Sequence, residues 1–429
     1  MARLANRLLL LVLFTTPWFF GIVSFRDVRF SSLDLLGPAC AFAALAFTTN
    51  TSLRMAHYAL GAYVLIAFAS VLQLLTDDAF LLLFFKCIRL AGIIAPAFLF
   101  GVLPRPEKQW SRLIRAYYWG GLASVVYGIT AFYFQWSFGT AVQQYYYDNN
   151  AYLRRAGGVF QDSSAFGHLL ATWTAVAVLF VHKTGRKHLI ALLITLAIAG
   201  AGLYACLSRA AVVHLLVIVA LVCVLPRPDR ASLGAVHVTT AALAGLMLLL
   251  LASGNVRQTV LRQASFAGER LYRTYASALD GMEALDDSGA NRITTWARTI
   301  EIWEQHPLLG TGYKSLVQLY GIYSDNTAIL TLAETGVIGL LVFLAGVTSF
   351  FSAAVRAYWR RLPASREVVI FLIGQAVHSI LVDTITFTGS MPIVFLIGIA
   401  ACRPETFVSD IAGDAAADPD EAVLEYSGA

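Results

Sequence analysis

The sequence predicts an all-α, polytopic membrane protein of about twelve transmembrane helices, with one large and one smaller loop on its outer side. Three observations predict it. The 429 residues are 58% hydrophobic and only 13% charged, with a mean hydropathy of +0.68, a composition typical of chains whose solvent is a bilayer. Apolar windows long enough to cross about 30 Å of hydrocarbon recur along the whole length. Lysines and arginines gather in alternate loops, as the positive-inside bias requires.

The windows fall near 8–25, 32–49, 55–75, 79–102, 115–137, 164–182, 188–206, 210–225, 234–253, 327–355, 367–386 and 390–402. With a cytoplasmic N-terminus, seventeen Lys and Arg residues lie inside or at the ends, and five (Arg26, Arg29, Arg154, Arg155 and Arg209) lie in short outer loops. Both ends are then cytoplasmic. The outer loops of size are 138–163 and 254–326. The chain divides into helices one to nine over 1–253, the large helical loop 254–326, helices ten to twelve over 327–403, and a disordered cytoplasmic tail, rich in Ala, Asp and Glu, over 404–429. No small-residue cleavage site follows the positively flanked first window, so it reads as a retained span. The net charge of +5 reflects this topology and gives no case for nucleic acid. Cys40, Cys87, Cys206, Cys223 and Cys402 sit in apolar segments without metal or redox spacing and read as packing residues.

The polar stretch from Asn291 to Glu334 interrupts this pattern. Arg292, Trp296, Thr299 and Trp303 recur at helical spacing and share one face. The helix should stop at His306-Pro307, because proline lacks the N–H and biases its predecessor out of the helical region. Gly310 and Gly312 permit a tight turn, and Ser324-Asp325-Asn326 reads as the cap of a helix carrying the apolar run 328–344.

Arginines near helix ends on one membrane face suit a diphosphate, since guanidinium forks bind phosphate oxygens in pairs. Arg154-Arg155 precede Gly157-Gly158, where backbone N–H groups can approach a ligand, and Ser163 or Ser164 can cap the following helix. An ordinary loop with a good cap explains the same residues. Arg209 lies in a tight turn and reads either as a ligand for the same anion or as an interfacial anchor. Lys86 and Arg89 lie at i and i+3 well inside the fourth window, where unpaired charge is costly; they should face a polar cavity or meet an acid, with Glu334 and Asp383 as the available partners, in a structural pair or beside substrate. Asp325 is either a cap or a carboxylate that takes a proton from an acceptor hydroxyl, and His306 favours a structural turn. Tyr145, Tyr146, Tyr147, Tyr320 and Tyr323 can pack on sugar rings or line the interface. No phosphate-cradling Gly-x-x-x-x-Gly-Lys-Ser/Thr and no cluster with metal-ligand spacing is found, so neither ATP-driven transport nor a metal is expected.

Together, Arg154 to Gly167, Ser208-Arg209, the run from Arg292 through Trp296 and Trp303 to His306-Pro307-Leu308-Leu309-Gly310-Thr311-Gly312-Tyr313, and Asn326 to Glu334-Thr335-Gly336 resemble the bacterial O-antigen ligase and polymerase family. The resemblance implies a metal- and cofactor-independent glycosyltransferase of the inner membrane. It would take a glycan from undecaprenyl diphosphate and pass it, with inversion, to a sugar hydroxyl on the periplasmic face. It implies that Arg209 and Arg292 hold the diphosphate; joined to the residue-by-residue reading, this gives Asp325, Arg209 and Arg292 as the expected catalytic residues and Arg154, Arg155, Arg209, Arg292, Lys86 and Arg89 as expected diphosphate ligands, supported by Trp296, Asn326, Glu334 and Tyr313. The implied partners are the lipid-linked donor, a glycan or lipid A-core acceptor, the bilayer, a flippase and a chain-length regulator. Where members commonly carry histidine before the asparagine, this sequence has Asp325, and Ser163-Ser164 replaces their proline-asparagine. The reading therefore leans to polymerisation of O-antigen or exopolysaccharide repeats, with ligation to lipid A-core as its alternative. A lipid-linked glycan transporter and a non-catalytic membrane subunit are the alternatives of another class. Convergence of Arg154 or Arg155 with Arg209 and Arg292 separates the enzyme from both.

Overall fold

The computed structural model describes residues 2–18, 23–25, 28–30, 32–47, 55–103, 109–134, 143–148, 151–160, 162–181, 186–206, 208–225, 287–385 and 387–403. The expected ninth span at 234–253, the part of the large loop from 254 to 286 and the acidic tail from 404 lie outside them. The described part is a helical bundle. Its helices are α1 (Ala2–Thr15), α2 (Ser32–Phe47), α3 (Met55–Leu72), α4 (Phe80–Val102), α5 (Trp110–Phe134), α6 (Ser163–Val176), α7 (Arg186–Cys206), α8 (Arg209–Val224), α9 (Asp287–Gln305), α10 (Ser315–Tyr320), α11 (Thr327–Trp359), α12 (Ser365–Leu381) and α13 (Met391–Ala401). Five of these segments, Met55–Leu72, Phe80–Val102, Ser163–Val181, Leu189–Cys206 and Thr327–Trp359, are long and apolar enough to cross a membrane.

Small residues let these helices approach closely, which is how packing is gained where lipid competes for apolar surface. A Cβ at Gly37 in α2 would lie 2.4 Å from the Gly92 Cα in α4. Trp173 of α6 fills the notch at Gly121 of α5, stacks on Tyr118 with ring centroids 5.7 Å apart, and donates its indole N–H to the Tyr118 carbonyl at 2.9 Å.

Four features depart from the sequence expectation. The first window, expected to reach residue 25, ends as a helix at Thr15, two residues before Pro17, and 23–25 form strand β1, paired antiparallel with β2 (Val28–Phe30). Within the smaller outer loop, β3 (Gln143–Asp148) and β4 (Ala151–Ala156) form a second short hairpin. The tenth span is a helix with a break: Gly336 has φ 68° and ψ −175°, far from helical values. The last expected span is an eleven-residue helix, α13, which rises only about 16 Å. Ahead of it, the segment after α12 turns into the bundle, and Gly389 accepts a hydrogen bond from the Tyr117 hydroxyl of α5 at 3.3 Å.

Candidate functional site

The break at Gly336 organises the polar end of the bundle. In an unbroken helix the carbonyls of Ala333 and Glu334 would receive the amides of Val337 and Ile338. Here they accept from Thr311 N at 2.9 Å and Gly312 N at 3.0 Å, while Val337 N and Ile338 N donate to the carbonyls of Pro307 at 2.9 Å and Leu308 at 3.3 Å. The loop after α9 thus substitutes for four helical hydrogen-bond partners, so none of these backbone groups is left unpaired by the break. Glycine is obligatory at two of its points. A Cβ on Gly336 would sit 2.1 Å from the Leu308 carbonyl oxygen, and Gly310, with φ 68°, faces the backbone of Ala333 and Glu334 at 2.4 to 2.6 Å. α9 stops at Gln305, before His306-Pro307. The exposed His306 serves the turn through its backbone, receiving the Gly310 amide at 2.9 Å. Ile302, Leu316, Ile322, Leu330 and Ala333 close a small core under this loop, with Trp303 against it.

The helix cap falls on one residue of the Ser324-Asp325-Asn326 run. Asn326 Oδ1 accepts from Ala328 N at 2.9 Å and Ile329 N at 3.0 Å, and its amide donates to the Ile380 carbonyl at 3.1 Å. Asp325 is not the cap; it stands half-buried immediately before it.

Arg89 meets an acid that the sequence did not point to. Its guanidinium pairs with both oxygens of Asp34 in α2, at 2.8 and 2.9 Å, because α2 packs directly along α4. Asp383 pairs instead with Lys314 at 2.9 Å. Lys314 adopts the left-handed conformation, φ 64°, uncommon for a residue with a side chain. Burial lowers its ammonium pKa, but the Asp383 and Glu334 carboxylates more than offset this, so it is held above its ordinary value. Glu334 is 1% exposed, and one of its oxygens has no hydrogen-bond partner among the described residues. Tyr313 is buried, its amide bonded to Ser70 Oγ of α3 at 3.1 Å. Lys86 lies within electrostatic reach of Arg89, Lys314 and Asp34.

On the neighbouring side, Arg155 Nε donates to the Cys206 carbonyl at 2.9 Å, at the end of α7. Two residues further, Ser208 caps α8 by accepting from Ala211 N, and Arg209 is the first residue of that helix. Gly167 of α6 packs on Ser208, where a Cβ would meet the serine side chain at 2.5 Å. α6 is capped by Asp162, which accepts from Ser164 N at 2.8 Å, and not by Ser163 or Ser164, since the chain turns into the helix one residue earlier. Arg155 and the backbone start of Arg209 therefore share one corner of the bundle. Arg292 is carried on α9, with Trp296 one turn on, its indole nitrogen buried without a partner among the described residues. The side chains of Arg154, Arg209 and Arg292 lie outside the described residues, as do those of Tyr145, Tyr146 and Tyr147.

The sequence reading passed over Asp34, Lys314 and three histidines. His168, His214 and His378, from α6, α8 and α12, are each 0% exposed. His214 Nδ1 meets His378 Nδ1 at 3.1 Å, so one ring donates and the other accepts. His168 is held by Ser390 and by Gln375, whose amide nitrogen donates to Thr172. No group of three His, Cys, Asp or Glu side chains among the described residues could hold a metal ion. Three isolated histidines on apolar faces carry no local signal; only the packing of their helices joins them.

This architecture is that of a multi-pass membrane protein whose polar groups gather at one end of the bundle. A family model described as O-antigen ligase matches residues 194–344, a little over a third of the chain, and supports the O-antigen ligase and polymerase family expected from the sequence. The match includes Arg209, Arg292, Trp296, Tyr313, Asp325, Asn326 and Glu334, and stops short of Lys86, Arg89, Arg154 and Arg155. None of the curated proteins compared with the chain matches it.

Proposed function

We propose that this protein transfers a glycan from undecaprenyl diphosphate to a sugar hydroxyl at the periplasmic face of the inner membrane, extending a chain of O-antigen or exopolysaccharide repeat units. In this reading Arg155, Arg209 and Arg292, with Arg154, hold the donor diphosphate. Asp325 takes the proton of the acceptor hydroxyl as its oxygen bonds to the anomeric carbon. The carbon–phosphate-oxygen bond breaks on the opposite face, the electron pair leaves with the diphosphate, and the arginines neutralise the charge that develops. Attack opposite the leaving group inverts the anomeric centre. Lys86, in reach of two other cations, supplies a further attraction for the anion.

One observation carries the assignment of roles: Asn326, not Asp325, satisfies the amides at the start of α11, so the adjacent carboxylate is not committed to capping. The family match supports the reaction class, and its description as a ligase keeps transfer to lipid A-core as the second reading. A secondary transporter gains no support from the break in α11. The carbonyls that could coordinate an ion there are taken by Thr311 and Gly312.

The test is transfer by the purified protein from an undecaprenyl diphosphate-linked repeat unit, offered alone or with lipid A-core, comparing wild type with Arg292→Ala and Asp325→Asn. A ladder from the donor alone, reduced at least about 100-fold in either variant, is the expected result. A single product formed only with lipid A-core would establish the ligase reading. Full activity of Arg292→Ala would overturn the catalytic assignment.

A further inference from the structure

The opposite end of the bundle holds a cavity of about 420 Å³ between the start of α3, the last turns of α11 and the end of α13. Its wall is built from small and apolar residues, among them Met55, Ala353 and Ala401, and its polar edge carries Ser352, Arg356 and Arg360. The two arginines are one helical turn apart, so both reach the same opening. Two other cations at this end are in use by the backbone. Arg403 donates to the carbonyls of Gly101 and Leu103, and Arg366, 2% exposed, donates to that of Leu225 at 2.9 Å beyond α8. Arg356 and Arg360 are exposed, and neither guanidinium has a hydrogen-bond or ion-pair partner among the described residues.

We infer that this cavity binds the phosphate headgroup of an anionic phospholipid of the surrounding bilayer. Charge and shape agree on that occupant. Two guanidinium forks without a carboxylate partner match a phosphodiester, and the apolar wall below them suits glycerol and the first methylenes of an acyl chain, for which a free phosphate has no use. The opening also lies at the right level. Trp359, 77% exposed, stands beside Arg360 and Met55 is 70% exposed at the rim; an indole next to arginines at a helix end marks the headgroup layer, where basic pockets between helices collect anionic lipid. The cavity is remote from the break at Gly336, so its occupant is not the glycan donor of the proposed reaction.

The test is competition against fluorescent phosphatidylglycerol, with the full-length protein in neutral detergent. Unlabelled phosphatidylglycerol should compete, and phosphatidylcholine and inorganic phosphate should not. Arg356→Gln with Arg360→Gln should weaken binding about thirtyfold, equivalent to about 1 kcal/mol for each cation. Ala353→Leu, which fills the cavity and keeps both charges, should weaken it as well. Removing two other exposed cations at the same end, by Arg112→Gln with Arg115→Gln, should leave it unchanged. Equal loss in the Arg112/Arg115 variant, or full binding by Ala353→Leu, would reduce the effect to general surface attraction and overturn the site; displacement by phosphate alone would reject the lipid. Melting curves of each variant separate lost binding from lost fold.

Discussion

Asp325 and Asn326 stand side by side, with the same side-chain length and similar hydrogen-bonding reach, yet the helix uses only one of them. Asparagine at the cap has an oxygen for two amides and a nitrogen left to donate, here to Ile380; a carboxylate there could accept but not donate. Removing each in turn should therefore separate stability from chemistry. Asn326→Ala is expected to lower stability by about 1 kcal/mol, read as a fall in melting temperature, with a modest change in transfer rate. Asp325→Asn is expected to reduce transfer at least about 100-fold, with a smaller fall in melting temperature than Asn326→Ala. The opposite pattern would return Asp325 to a structural role. The run Ser-Asp-Asn announced a cap in the sequence but not which residue would provide it, because that depends on a backbone angle and on a carbonyl more than fifty residues away.

At the scale of the element, α11 shows how far an apolar run can mislead. Its 33 residues read as one continuous span because composition carries no trace of φ. The Gly-Thr-Gly turn and the Thr-Gly at 335–336 were both visible, yet nothing local says that one docks into the other. The exchange of four hydrogen bonds explains why a β-carbon is excluded from Gly336. Gly336→Ala would put a side chain at φ 68° and 2.1 Å from a carbonyl oxygen, so it is expected to destabilise by about 3 kcal/mol or more. The loop should detach, read as new protease cleavage near His306. Gly346→Ala, in the same helix beyond the break, where an added methyl would meet Ala59 and Leu60 at an ordinary 3.6 Å, is the comparison, and its cleavage pattern should match wild type.

Across the whole molecule, class and most helices were legible because hydropathy is a sum over many residues, and the sum survives local errors. Partnerships between distant segments were not. Arg89 was rightly expected to find an acid, but Asp34 lies two helices earlier and was hidden by the regular spacing of the apolar windows. Lys314 and Asp383 form the other such link, joining the loop after α9 to the segment before α13. Because the Lys314 pKa is raised in the fold, the stability contributed by this pair is fully present below the unfolded lysine pKa of about 10.4. It is lost only as pH rises through the higher folded value. Wild-type melting should thus show no pH dependence from this lysine between about pH 6 and 9. Lys314→Met is expected to cost about 3 kcal/mol, since it leaves a part-buried carboxylate without its cation. Asp383→Asn in the same chain, which removes the unpaired charge, should recover most of that deficit. An undiminished deficit in the double variant would count against the pair.

The discontinuity in α11 also sets a length. From Val337 to Val355, just before Arg356, the helix has nineteen residues and rises about 28 Å, close to the 30 Å thickness of a bilayer's hydrocarbon. An unbroken helix starting at Thr327 would be just over half as long again, and would have to tilt or slide to hide the surplus. Interrupting it gives the lower piece a length that matches the lipid and frees the upper piece from that constraint. The depth of the polar end relative to the membrane surface is therefore fixed by where one glycine stands in the chain.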